Sequence, residues 1–248
     1  MNAFLAFPKG SKAADYTKIP RLFGSFLLGR SVNDNFDKLP SVDFRGISVD
    51  TYRHYGCSYN LSSRRIIIPT VLPDGNKSFV AVLANSKRQE LDEMKVDYKK
   101  VLAEGGTRGI FNLDNISADK PVIITEGEID ALSVAHCGYE NVIALGGQSV
   151  GNLIEWLNKN PAEYQFVVLF DNDKAGVKAA PKAIDALLRA GYRAVSDIIS
   201  HDAFKVDCND ILTAQGSAEL HSRINTITAT AQVKFPDVKF PPPAKKSA

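Results

Sequence analysis

Ile124-Thr-Glu-Gly-Glu-Ile-Asp-Ala-Leu132 is answered further along the chain by Val167-Val-Leu-Phe-Asp-Asn-Asp173. Each stretch opens as a short apolar run of the kind that forms a parallel strand buried on both faces. Each then ends in carboxylates where a helical pattern begins. In an open parallel α/β sheet the ligand crevice lies outside the carboxyl ends of the strands, where the strand order reverses. Two such strands deliver Glu126, Asp171 and Asp173 to that edge. Alternation of side chains in an extended segment points Asp171 and Asp173 the same way, with Asn172 between them. Like charges held close are mutually unfavourable unless protonated or offset by a cation. A donor set made only of oxygen suits Mg2+ or Mn2+ rather than Zn2+. The pocket therefore suggests phosphoryl chemistry. Taken alone, Asp-x-Asp also has a plain structural explanation: one aspartate caps the next helix while the other makes a local turn.

Around these motifs, from Pro121 onward, strand and helix alternate strictly. Strands are expected at 122–125, 142–145, 166–170 and 194–199, with helices at 129–137, 150–158 and 177–190, the last closed by Gly191. This is the βαβ rhythm of a parallel sheet covered on both faces. Pro181 should kink the third helix or mark its first turn. Upstream the pattern differs. A short helix at 48–55 is expected, capped by Ser48 and ended by Gly56. A strand at 65–71 turns through Pro73-Asp-Gly75 into a hairpin partner at 79–83. Residues 86–95 are charge-rich and read as exposed surface. The first forty residues are poorly periodic, and 235–248 are Pro- and Lys-rich, as in an extended linker.

The 248 residues, 44% of them hydrophobic, suffice for a proper core and a second, smaller domain. No apolar run is long enough to span a bilayer as a helix, and the N-terminus lacks a signal-peptide pattern. Cys57, Cys137 and Cys208 lie far apart with no Cys-x-x-Cys pair, which argues against a disulfide framework or zinc module and for a cytoplasmic setting. The net charge is +2, unevenly spread: residues 1–120 hold 18 Lys+Arg against 13 Asp+Glu, and residues 121–248 hold 12 against 15. A basic front half beside an acidic back half fits a polyanion bound near a cation. Charge alone fits ordinary solvated surface equally well.

The joint pattern resembles the Toprim domain, the metal-binding fold shared by bacterial-type primases, topoisomerases and some nucleases. Glu126-Gly127 after the first strand, the Leu145-Gly-Gly147 turn after the middle strand, and Asp171-x-Asp173 after the third carry the resemblance. It implies that Glu126 is the general acid/base and a metal ligand, and that Asp171 and Asp173 coordinate metal. Asp130, one helical turn after Glu126, matches a further acidic position of the primase branch. Glu128, in the same loop, is the second choice. Asp207, in Asp207-Cys-Asn-Asp210, matches an acidic segment beside the metals, with Asp210 read as a helix cap.

Upstream, Phe44-Arg-Gly-Ile-Ser48 and the hairpin resemble the start of the RNA polymerase domain of primases, most closely those of phage primase-helicases. In that family basic residues here bind nucleotide phosphates and template, and the matching positions are Arg45, Arg65, Lys99, Lys100 and Arg108. Lys99 and Lys100 also fit a merely solvated surface, and Arg65 a strand-edge residue. The implied architecture is α/β: a four-stranded parallel-sheet Toprim domain at 121–216, preceded by a smaller α+β domain with a β-hairpin at 42–120. Residues 1–41 form an N-terminal extension, and 217–248 a C-terminal helix with a Pro/Lys-rich tail. The implied activity is that of a DNA primase, a nucleotidyltransferase making short RNA primers on single-stranded DNA with Mg2+ or Mn2+. Ribonucleoside triphosphates are its substrates. A replicative helicase and a separate zinc-binding, sequence-reading module are its expected partners, with no membrane. Two rivals stay open, a Toprim nuclease and a non-catalytic replication binding module.

Overall fold

The computed structural model describes residues 35–97, 101–102, 108–197, 199 and 206–234. The expected extension at 1–41 falls mostly outside these residues, and the Pro/Lys-rich tail and both Lys99 and Lys100 fall wholly outside them. The chain divides into two compact units, residues 1–109 and 110–248. Among the described residues no helix is long and apolar enough to cross a membrane.

The first unit is built on an antiparallel sheet in the order β1-β2-β3-β4, with β1 Ser58–Asn60, β2 Arg65–Val71, β3 Lys77–Leu83 and β4 Val101–Leu102. The β2–β3 hairpin turns as expected at Asp74-Gly75. The Asp74 carboxylate accepts the Asn76 N–H at 2.9 Å, and Gly75 takes φ +86°, where a side chain is strained. Pro69 is tolerated inside β2 because β1 pairs only as far as Ile67, so one side of the strand has no ladder to break. Helix α1, Val49–His54, is capped by the Ser48 hydroxyl, which accepts the Thr51 N–H at 3.1 Å. Tyr52 on this helix is fully buried against Phe36, ring centroids 5.0 Å apart, and donates to the Phe44 carbonyl at 3.2 Å. It is a packing residue with a satisfied hydroxyl. The charge-rich segment expected to be exposed is a helix, α2 Asn85–Glu93, with Leu91 as its one buried residue.

The second unit carries a four-stranded, all-parallel sheet in the order β6-β5-β7-β8. Its strands are β5 Val122–Thr125, β6 Val142–Ala144, β7 Gln165–Val168 and β8 Arg193–Ser196. Every residue of β5 and β6 is buried, as two-sided coverage requires. The helices are α3 Glu128–His136, α4 Gly151–Lys159, α5 Lys174–Arg189, α6 Cys208–Gln215 and α7 Ser217–Lys234. Trp156 of α4 is core, 9% exposed and tilted against Tyr164. Pro181 neither starts nor ends α5: the helix begins seven residues before it and runs past it. The proline supplies no N–H to the Val177 carbonyl one turn back.

The unit boundary lies at 109/110 rather than at 120/121. The reason is tertiary. Phe111 forms an antiparallel bridge to Ala144 of β6, and the Asn112 amide donates to the carbonyls of Glu140 and Val142 at 3.0 and 2.9 Å. Ile110, Phe111 and Leu113 are each at most 1% exposed. No periodicity in residues 110–120 announces this edge.

Candidate metal centre

β5 and β7 are neighbours in the sheet, and the connection after β5 runs to β6 while that after β7 runs to β8, in opposite directions. That is the switch point at which parallel sheets bind ligands. Glu126 follows β5 and Asp171 follows β7, and the two meet there. The Asp171 N–H donates to Glu126 Oε1 at 3.2 Å, and the Gln148 side chain donates to Oε2 at 2.9 Å. Gln148 comes from the end of β6, just past Gly146-Gly147, so three strand ends converge on one carboxylate. Burial pushes the Glu126 carboxyl above its ordinary range, and the nearby Asp171 and Asp173 charges push the same way. The hydrogen bonds from Gln148 and Asp171 oppose that rise.

Two glycines make the room. A Cβ on Gly176, in the first turn of α5, would stand 2.7 Å from Glu126 Oε1 and collide with the Asp171 carbonyl. A Cβ on Gly127 would stand 2.7 Å from Asp130 Oδ2. Only a bare backbone lets α5 and the β5–α3 turn approach the carboxylates this closely.

Asp173 caps α5, its Oδ1 accepting the N–H groups of Ala175 and Gly176, each at 2.9 Å. The plain structural reading of this residue therefore holds, alongside any metal role. Asn172, between the two aspartates, accepts the Val206 N–H at 2.8 Å and ties the motif to the segment leading into α6. There Asp207 is the N-cap. Its Oδ1 accepts the Asp210 N–H at 2.8 Å, and Asp210 answers by accepting the Asp207 N–H at 3.2 Å. The two form a reciprocal capping box, so Asp210 caps the helix as expected and Asp207 shares in that cap. Asp130 accepts the Asn209 N–H at 3.2 Å. Its carboxyl is pushed well up, first by desolvation, then by the charges of Asp207 and Asp171. Asp207 is raised as well, again chiefly by burial. Asp171 is the common neighbour of both groups, acting on Glu126 from one side and on the Asp130–Asp207 pair from the other.

Among the described residues no three His, Cys, Asp or Glu side chains stand in a geometry that already surrounds an ion. The carboxylates form a repulsive cluster whose members are held by protein donors. The donor chemistry, oxygen only and rich in charge, fits a hard divalent cation. Glu128 is buried at 3% exposure.

The predicted basic residues of the first unit divide. Arg65 is 3% exposed, and its guanidinium donates to the Ala81 carbonyl at 3.0 Å. Burial lowers it to about 10. It opens a central strand of the sheet and is buried there, not an exposed edge cation. Arg45 adopts φ +54° and donates to the Leu83 carbonyl at 3.1 Å. Arg108 is exposed. Sequence reasoning missed Gln148, Asn172 and Gly176; the first follows the quoted Gly-Gly turn and the other two lie in or beside Asp-x-Asp, so proximity to the motif was the available signal.

Comparison with known proteins bears on the fold that carries these residues. The Toprim-like family matches residues 123–212. A DNA primase of Campylobacter jejuni is 33% identical over 76 residues, which span 29% of this chain and 12% of that protein. The solved zinc-binding and RNA polymerase domains of the Aquifex aeolicus primase align with a TM-score of 0.57 at 20% identity, covering 85% of this chain and 59% of that one. A primase catalytic domain bound to single-stranded DNA aligns with a TM-score of 0.53 at 14% identity, covering 85% and 78%. Residues 123–212 thus match the Toprim-like family, and the fold resembles that of primase catalytic cores. The chain spans only about an eighth of the curated relative it matches.

Proposed function

We propose that this chain is a primase catalytic core, which joins ribonucleotides into short primers on single-stranded DNA. The observation that carries the reading is the convergence of Glu126, Asp171 and the Asp130–Asp207 pair at the switch point of a Toprim-like sheet. The upstream antiparallel unit supports it over a Toprim nuclease, since the matched primase structures extend across 85% of the chain. Divalent cations, Mg2+ or Mn2+, held by Glu126, Asp171 and Asp173 with Asp130 and Asp207, would polarise the triphosphate and offset developing charge. The chain's own groups do the rest. Glu126, at the strand end beside Asp171, takes the proton of the attacking 3′-hydroxyl. Gln148 and the Asp171 N–H fix its two oxygens, so the carboxylate does not reorient as charge moves. Arg108, with Lys99 and Lys100, would supply cations for nucleotide or template phosphates; Arg45 and Arg65, tied to backbone carbonyls, would contribute mainly by placing strands. A helicase and a sequence-reading module would act as partners in a replication setting.

The test is primer synthesis by the purified protein on single-stranded DNA with ribonucleotides and Mg2+ or Mn2+. Glu126→Gln should lower synthesis by about 100-fold or more, with an unchanged circular dichroism spectrum and a melting temperature no lower than the parent's. Cleavage of nucleic acid with no need for ribonucleotides would establish the nuclease reading instead, and near-normal synthesis by Glu126→Gln would remove the assignment of the base.

A further inference from the structure

Helix α5 starts with the wrong charges. Lys174 is its first residue, and Lys178 and Lys182 follow at i+4 and i+8. Cations at a helix N-terminus oppose the macrodipole, and like charges four apart repel, each effect worth a few tenths of a kcal/mol. Among the described residues none of the three lysines has an ion-pair partner. The one carboxylate on that face, Asp185, is taken by Arg189 at 3.0 Å. Successive lysines rise by about 6 Å and sweep an arc of about 80°, so they form one row on the helix side opposite buried Gly176, Ala183 and Leu187. The row begins one residue after Asp173, at the edge of the acidic cluster.

A second observation lies beside the row. Between α5 and the ends of β7 and β8 is a cavity of about 280 Å³, walled mainly by Phe170, Val177, Ala180 and Pro181, with Asp171, Ser196 and Asp197 as its polar edge. Val177 is 56% exposed, an apolar side chain left uncovered at the mouth of an apolar hollow. A polyanion that also carries flat apolar groups satisfies both features. Single-stranded nucleic acid is such a ligand: phosphates lie on cations while bases settle on apolar surfaces without sequence preference.

We propose that this face of α5 is a track for single-stranded DNA, with phosphates on Lys174, Lys178 and Lys182 and a base set into the Val177–Pro181 cavity. The choice of DNA rests on the primase reading. The lysines draw the strand along the helix from the acidic centre, and the cavity supplies the part of the affinity that salt does not screen.

The experiment compares the parent with K174Q/K178Q/K182Q by fluorescence anisotropy on labelled oligo-dT across a salt series, and assays primer synthesis by both. Glutamine keeps helix propensity, so the triple variant should melt at or above the parent temperature. Its affinity should fall about tenfold or more at 0.1 M salt, and the slope of log K against log salt should become shallower by about 2, since three single-strand phosphate contacts are lost. Val177→Ser should weaken binding at every salt concentration while leaving the slope in place. If the triple variant keeps the parent's affinity and slope, the track is overturned, and primer synthesis by the parent leaves the primase reading standing. If the parent binds DNA through these lysines but makes no primer, the track stands and the primase reading falls. A parent that does not bind single-stranded DNA overturns both. Lysine-dependent binding only to oligo-U, or only to phosphatidylserine vesicles, assigns the face to another ligand and overturns the proposal.

Discussion

Asp130 is the residue at which the acidic cluster is most sharply tuned. Its carboxyl is pushed well above the ordinary aspartate value by desolvation, then by Asp207 and Asp171. A group raised by folding contributes stability below its unfolded value, near 4, and that contribution is lost as pH climbs through the folded value. The protein in EDTA should therefore lose stability on going from about pH 4 upward through the folded titration of Asp130. Asp130→Asn should flatten this slope and melt higher than the parent at neutral pH, because the amide keeps an acceptor for the Asn209 N–H without the charge. Urea midpoints of both proteins across pH check it; a parallel pH dependence in the variant would locate the coupling elsewhere. Excess Mg2+ should narrow the difference, since a bound cation offsets the same repulsion. At this scale the sequence was informative where carboxylates end strands, as at Glu126 and Asp171. It was ambiguous where they begin helices: Asp173 and Asp207 make caps that any soluble protein uses, and a cap and a ligand look alike in one dimension.

Among the elements, α5 is held against the centre by the absence of a side chain. Gly176→Ala places a Cβ 2.7 Å from Glu126 Oε1 and against the Asp171 carbonyl. Although alanine favours helices by up to about 1 kcal/mol over glycine, the collision should dominate and destabilise by about 1–3 kcal/mol. Gly151→Ala, at the start of α4, meets nothing nearer than the Ser149 hydroxyl at 3.5 Å and should be neutral or mildly stabilising. Chemical denaturation of the two variants gives the contrast directly, and equal effects would remove the packing argument. Elements with a periodic apolar face were legible: β2, β5 and the helices after the first three parallel strands fall within a few residues of expectation. Helix α2 was not, because it has one buried residue, Leu91, and the unpromising Ala84 at its N-cap. Its start is capped from 43 residues away, where buried Asp43 accepts both the Ser86 N–H, at 2.5 Å, and the Ser86 hydroxyl, at 2.6 Å. A cap supplied by another element leaves no local trace.

For the molecule as a whole, the division at 109/110 sets what can be separated. A fragment of residues 110–248 retains Ile110, Phe111 and Leu113, whereas one beginning at 121 loses all three together with the Asn112 bonds to β6. Burial of three such side chains is worth about 5–9 kcal/mol before the compactness of the unfolded chain reduces it. The longer fragment should unfold cooperatively in urea and the shorter one at a markedly lower midpoint; equal midpoints would return the boundary to residue 120. The four-stranded parallel sheet of the second unit was readable from βαβ spacing, but its first buried residues were not. They enter by a single bridge to β6 rather than by any repeating pattern.

The bond from the Val206 amide to Asn172 turns the unconstrained middle letter of Asp-x-Asp into a latch. A backbone proton held there exchanges with solvent only when the turn carrying both aspartates lets go of the approach to α6. Its exchange rate is therefore a clock for the acidic centre, readable without substrate. Cation binding should slow that clock, and Asn172→Ala should set it running free while both carboxylates remain in the chain.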